Sequence, residues 1–323
     1  MSSFSNRFFI FIFTAILFTN AMAQPTVPRD TTRRTNTTPA GAANQPRPYK
    51  EIITDKAKTD DGLFKVHKVD DKYYFEIPDS LMNRDILVVN RISKAAAGMR
   101  IGGFFGYAGD QIGQNVIRFQ KGPNNKVFLL NISYAEYAKD STSPMFSAVN
   151  NSNIQPIAAA FDIKSLGKDS TGAVIEITDF INGDNDVLHF NSGLKSALRF
   201  AAIQSDKSYI VSVKSFPINI EIKTVKTYSR SPAPPVGGGG GFGAAGAGNM
   251  TVELNSSLVL LPKTPMQSRY FDRRVGYFTV GYTDYDLNPQ GVESITLAKR
   301  WRLEPKDEDM ERYKRGELVE PKK

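Results

Sequence analysis

Chemistry needs a few residue types at workable spacing, and this chain of 323 residues offers little of it. It contains no cysteine and two histidines, His67 and His189, which lie 122 positions apart. Without cysteine there are no disulfides, thiolate zinc sites, iron–sulfur clusters, cysteine nucleophiles or lipidated N-terminal cysteine. Two distant histidines form no His-rich cluster, and neither His-Glu-x-x-His nor Gly-x-Ser-x-Gly occurs. His67 in Val66-His67-Lys68 and His189 in Leu188-His189-Phe190 sit in strand-like contexts and read as structural or surface side chains.

The remaining motifs are weak. Gly241-Phe242-Gly243-Ala244-Ala245-Gly246 matches Gly-x-Gly-x-x-Gly in letters. A dinucleotide fingerprint needs a strand before it and a helix after it, whereas Pro232-Ala233-Pro234-Pro235 precedes this one and a strand pattern follows. The segment reads as a flexible loop over 232–248. Asp184-Asn185-Asp186 after Asn182-Gly183 brings oxygen ligands together, but the distal carboxylate of a calcium loop is missing. It reads as a turn leading into Val187-Leu188. Asp284 and Asp286 are a carboxylate pair with nothing to separate acid–base groups from solvated turn residues. Residues 269–278 pack three arginines, one carboxylate and four aromatics into ten positions, a composition that suits a binding surface or an Arg–Asp clamp on a turn. No catalytic, cofactor-binding or metal-ligating residue is assigned.

The elements that would position these residues are strands. Residues 63–69 and 72–77 flank Asp70-Asp71 as a hairpin, 78–82 suits one helical turn, and 86–92 reads as a strand buried on both faces. Further strand patterns cover 116–120, 126–132, 174–177, 208–213, 218–228, 251–261, 276–282 and 294–303. In one of them Ile218, Ile220, Ile222 and Thr224 alternate with Asn219, Glu221, Lys223 and Val225, the period of a half-buried antiparallel strand. Helical pattern is confined to 193–204 and 307–315. The expected fold is mainly β with a minor α+β share: a small antiparallel module over 49–93, then a larger sandwich or barrel-like module over 94–323. Residues 305–323 read as a C-terminal linker.

Residues 1–23 carry Arg7, an apolar run over 8–18 and Ala21-Met22-Ala23, the three parts of a cleavable signal peptide. The run is too short to span a bilayer, and no later stretch approaches that length. Residues 24–48 lack any hydrophobic period and read as a disordered linker. The expected location is periplasmic or extracellular, without lipidation. Of the formal net charge of +8, Arg7 and the linker account for half, leaving +4 for residues 49–323. That modest excess, with no Lys/Arg stripe among aromatics, argues against a nucleic-acid partner.

Several stretches together resemble the N-terminal region of a bacterial family of secreted zinc-dependent metalloproteases of metzincin-like kind. They are residues 48–53 and 62–67, 73–78, 84–93, 258–262, 269–278, 301–304 and 316–323. The resemblance implies that a zinc-binding His-Glu-x-x-His helix and a third histidine lie beyond the point where this chain stops. Zinc is then expected only in a catalytic domain outside this chain, and no catalytic residue carries over to any position here. The implied function is a noncatalytic region, in a truncated or split chain, that packs against a protease domain in cis or in trans. The alternative is a free-standing envelope module that binds peptide or glycan, and an enzyme using carboxylates ranks behind both.

Overall fold

A computed structural model describes residues 45–96, 99, 104–231, 248–288, 290–301 and 303–321. The expected signal peptide, most of the expected linker and the Gly241–Gly246 motif lie outside the described residues. All described residues belong to one compact unit, Gly41–Lys323. Its strands are β1 (Lys58–Asp60), β2 (Lys65–Val69), β3 (Lys72–Ile77), β4 (Asp85–Lys94), β5 (Gln111–Gly122), β6 (Lys126–Ile132), β7 (Glu136–Tyr137) and β8 (Ile157–Ser165). They continue with β9 (Ala173–Glu176), β10 (Phe200–Ile203), β11 (Tyr209–Ser215), β12 (Asn219–Arg230), β13 (Met250–Leu260), β14 (Thr279–Asn288) and β15 (Gly291–Ala298). Short helices are α1 (Tyr49–Ile52), α2 (Pro144–Ser152), α3 (Thr178–Asn182), α4 (Ser192–Leu198) and α5 (Met310–Lys314). None is long and apolar enough to cross a membrane.

The mainly β, antiparallel architecture expected from the sequence is present. One large sheet runs β1-β2-β3-β9-β8-β6-β5-β4-β13-β12-β10, with β11 also on β12, and a small sheet runs β15-β14-β7. The large sheet curls until its ends meet. There Leu63 N–H donates to Phe216 O (2.7 Å), Ser215 N–H to Asp60 Oδ2 (3.0 Å) and Ser215 Oγ to Phe64 O (2.7 Å). Gly62 sits at this seam, where a Cβ would lie 2.5 Å from Ser215 Oγ and 2.6 Å from the Phe216 nitrogen. Closure therefore requires a residue without a side chain there.

The strands of 49–93 do not form a sheet of their own. β3 pairs with β9, and β4 lies between β5 and β13 through registers such as Asp85↔Arg118 and Leu258↔Val88. A strand of mostly apolar residues such as β4 needs a partner on each edge, and only the later strands supply them. The expected burial of β4 on both faces holds only in part. Ile86, Val88, Asn90 and Ile92 face inward, and on the outer face Val89 is also buried and Leu87 half-buried, while Arg91 is exposed.

The expected hairpin forms across Val69↔Lys72, with Asp70 in the left-handed region (φ 51°) that aspartate tolerates. The helix expected over 193–204 is shorter. Asn191 caps α4 by accepting the Leu194 N–H, and Arg199 at φ 57° ends it. Phe200 then begins β10, because its ring stacks on Tyr228 at 4.8 Å, a contact that helix continuation would break. Residues 305–321 hold α5 and a bridge between Pro305 and Pro321, with Arg312 tied to both Asp309 and Glu317.

Two apolar clusters fill the barrel. One gathers Phe64, Phe75 and Phe119, with both neighbouring ring pairs at 5.6 Å. The other gathers Phe190, Phe200 and Tyr228. The strap of chain over 181–190 joins them, giving Ile181, Val187 and Leu188 to the first and Phe190 to the second.

Candidate interaction surface

The residues singled out in the sequence fall into separate networks. His67 is buried on β2, opposite Thr59 of β1. Its Nδ1 lies 2.8 Å from Thr59 Oγ1 and its Nε2 lies 2.9 Å from Glu76 Oε2. Glu76 also accepts from Tyr49 Oη (2.9 Å) and from the Lys168 N–H (3.0 Å). Burial pushes the Glu76 carboxyl up, but the hydrogen bonds from Lys168, His67 and Tyr49 outweigh it and hold it below its usual range. Burial first, then the Glu76 carboxylate, pushes the Tyr49 phenol up. A hydroxyl, an imidazole and a carboxylate in line have the connectivity of a nucleophile relay. None of the three lines any groove described below, and the chain pins the edge strand β1 and α1 to β2 and β3.

His189 belongs to the strap, as does Asp184-Asn185-Asp186. The reading of these residues as a turn holds locally, since Asn185 Oδ1 accepts the Val187 and Leu188 N–H groups. Four adjacent strands then grip the strap by its carbonyls. Lys226 Nζ of β12 donates to Ile181 O (2.6 Å) and Asn182 O (2.7 Å). Ser256 Oγ of β13 donates to Leu188 O (2.8 Å), Asn90 Nδ2 of β4 to Val187 O (2.7 Å) and Asn115 Nδ2 of β5 to Asp186 O (3.1 Å).

Lys226 is fully buried, and burial lowers its ammonium to a pKa of about 8, opposed in part by Asp184. Burial likewise drives His189 well below its ordinary value, with Lys226 and Lys195 adding to the effect. Asp184 accepts from Tyr228 Oη (3.3 Å) and pairs with Lys195 (2.9 Å). Because Lys226 extends the inward row Ile220, Ile222, Thr224, the same period of two that identifies β12 also places this lysine inside. The cluster positions the strap. Among the described residues no group of three or more His, Asp or Glu side chains is placed to hold a metal ion.

Asp284 and Asp286 lie on β14 and work on backbone. Asp284 Oδ1 accepts the N–H groups of Asp286 and Leu287 at 2.9 Å each. Asp286 Oδ2 accepts from Lys139 and Asp140, tying the small sheet to the chain leaving β7.

Residues 269–278 form an arm along the edge of β15. Tyr270 bridges Leu297, Phe271 N–H donates to Thr296 O (3.0 Å) and Ala298 N–H donates to Arg269 O (2.9 Å). The arm reverses after Asp272, where Arg274 pairs with the Asp272 carboxylate (2.5 Å), and Gly276 at φ 69° passes the chain into β14. The Arg–Asp clamp expected from the sequence is therefore Asp272–Arg274.

Beyond the clamp the arm leaves large apolar side chains in solvent. Phe278 is 85% exposed, Trp301 86% and Leu303 73%, with Tyr277 beside them. They line a groove of about 820 Å³ together with Arg269, Lys299 and Arg300. Covering Phe278, Trp301 and Leu303 would be worth about 5 to 9 kcal/mol in gross transfer free energy. Large apolar side chains gathered in one groove mark an interaction site, whereas single ones scattered on a surface need no explanation. Only the 269–278 half of this groove stood out in the sequence. Its partner residues after β15 were assigned to a strand, and only the register of β14 on β15 brings the two halves together.

Comparison with known families gives two matches. Residues 46–95 match the model described as Domain of unknown function (DUF5118), and residues 109–306 match Domain of unknown function (DUF5117). The first match spans β1 to β4 and the second β5 to β15; the strands of the first interleave with those of the second in the large sheet, and β7, β14 and β15 form the small one. No curated protein and no solved structure matches the chain. With residues 109–306 covering more than half of its length, the chain belongs to the family described as Domain of unknown function (DUF5117).

Proposed function

We propose that this chain is the noncatalytic N-terminal region of a secreted, zinc-dependent metalloprotease-like protein, and that it packs against a protease domain through the groove at the end of β14 and β15. The observation that carries the reading is the exposure of Trp301 and Phe278, the only tryptophan of the chain and a phenylalanine, side by side with three cations. Tryptophan, aromatic and arginine side chains supply much of the energy of protein interfaces. The β14–β15 ladder and the arm along it support that face, and the sequence resemblance supplies the kind of domain expected on it. Zinc and the catalytic residues belong to that domain in this reading, and the export expected for residues 1–23 puts both outside the cytoplasm.

The test is to translate the DNA that follows and neighbours the coding sequence. A reading frame encoding His-Glu-x-x-His with a third histidine beyond it is the expected result. A locus without such a frame overturns the protease part of the proposal. A second reading, a free-standing envelope module for extended peptides or glycans, is favoured by the outer edge of β15. Among the described residues the backbone of 291–295 makes no ladder on that side, and an unpaired edge can accept an added strand.

A further inference from the structure

The groove carries information about the chemistry of whatever covers it. Its rim holds Arg269, Lys299 and Arg300, and among the described residues no carboxylate lines it. Arg300 donates to the neutral Gln267 carbonyl and makes no ion pair among the described residues. Arg269 and Lys299 make no ion pair among the described residues, and the nearest clamp, Asp272, is already taken by Arg274. Cations and apolar groups are interleaved in the chain, with Tyr277 and Phe278 on one side of the ladder and Lys299, Arg300, Trp301 and Leu303 on the other. The Lys299 N–H donates to Phe278 O at 2.8 Å, so the two sides are held in register.

From this interleaving we infer that the groove takes an extended, acidic polypeptide segment whose groove-facing positions carry both carboxylates and apolar side chains. An extended chain turns every second side chain to one side, so a segment with both acidic and apolar residues at those positions would satisfy rings and cations together. A polyanion without apolar groups would answer the cations and leave Trp301, Phe278 and Leu303 wet. A purely apolar segment would bury the cations without counter-charge, which is strongly unfavourable. The inference rests on the docking reading above and names the part of the partner that would touch this face.

Trp301 is the only tryptophan, so its fluorescence reports on the groove alone. Two measurements on the full chain test the inference. The first compares quenching by iodide and by caesium at equal ionic strength, with acrylamide as the neutral reference. With each ion normalised to its quenching of free N-acetyltryptophanamide, a cationic rim predicts that iodide quenches Trp301 at least about twofold better than caesium, with the difference shrinking as salt is added. Equal normalised quenching by the two ions overturns the charge argument.

The second adds a random copolymer of glutamate and tyrosine as the probe, with excitation selective for tryptophan. The copolymer is expected to shield Trp301 from acrylamide, and K299E/R300E, with its fold checked by circular dichroism, to weaken that binding about tenfold. Dextran sulfate should shield far less. Equal shielding by dextran sulfate, or none by the copolymer, overturns the inference. Shielding by the copolymer in a chain whose locus encodes no protease would retain the acidic segment and discard the protease.

Discussion

The buried lysine gives the sharpest quantitative prediction. Lys226 holds the carbonyls of Ile181 and Asn182 inside the barrel, and burial lowers it from 10.5 to about 8. That lowering corresponds to about 3 kcal/mol opposing the charged form in the fold. Below pH 8 the lysine is charged in both folded and unfolded chains, and the whole penalty is present. Between about pH 8 and 10.5 the unfolded chain binds more protons than the folded one, so stability rises with pH. Integrating from about pH 7.5 to 9.5 gives a gain of about 2 kcal/mol in wild type. Lys226→Met removes this titration and leaves two carbonyls without their donor, so its stability at neutral pH combines a lost charge penalty with two unsatisfied acceptors. The slope isolates the charge. Urea unfolding of both proteins at the two pH values, a comparison in which the tyrosine titration common to both cancels, should show wild type gaining about 2 kcal/mol relative to Lys226→Met. Parallel pH profiles would refute the assignment of a buried, charged lysine.

Three other outcomes follow from the packing. Gly62→Ala puts a methyl group against the Phe216 backbone at the barrel seam and should lower stability by about 2 kcal/mol or more, read as a lower thermal midpoint; an unchanged midpoint would show that the seam yields. Residues 46–95 expressed alone should be unfolded and rapidly proteolysed, since β3 and β4 lose their partners β9, β5 and β13; a dispersed amide spectrum from this fragment would contradict the shared sheet. His189 is held neutral by burial, so on acidification the unfolded chain takes its proton first and stability falls below about pH 6.5. His189→Asn should flatten that acid limb, and an unaltered limb would mean that other groups cause it.

The regular part of the fold was legible because alternation and turn chemistry are local. β12 follows from Ile220, Ile222 and Thr224, and the hairpin from Asp70-Asp71 between two strand patterns. β8 was missed because Ala158, Ala159 and Ala160 carry no β preference, and only pairing with β6 and β9 makes the segment a strand. β10 was absorbed into a helix because the stacking of Phe200 on Tyr228 is a contact between residues far apart in sequence. The inward row of β12 could have been followed to Lys226, but the carbonyls that the lysine serves come from a strap more than 40 positions away. The Thr59–His67–Glu76 chain depends on the registers of β1 on β2 and of β2 on β3. In the groove, the arginine-rich arm was visible as composition, while Lys299, Arg300 and Trp301 joined it only through the β14–β15 ladder.

The most direct test of the docking claim is a titration of the chain with the protease domain that the proposal places at its locus, followed by Trp301 emission and iodide quenching. The account predicts a blue shift and loss of quenching that saturate at one equivalent, both abolished by K299E/R300E. A complex demonstrated by sedimentation that leaves Trp301 emission and iodide access unchanged would place the interface elsewhere and contradict the account.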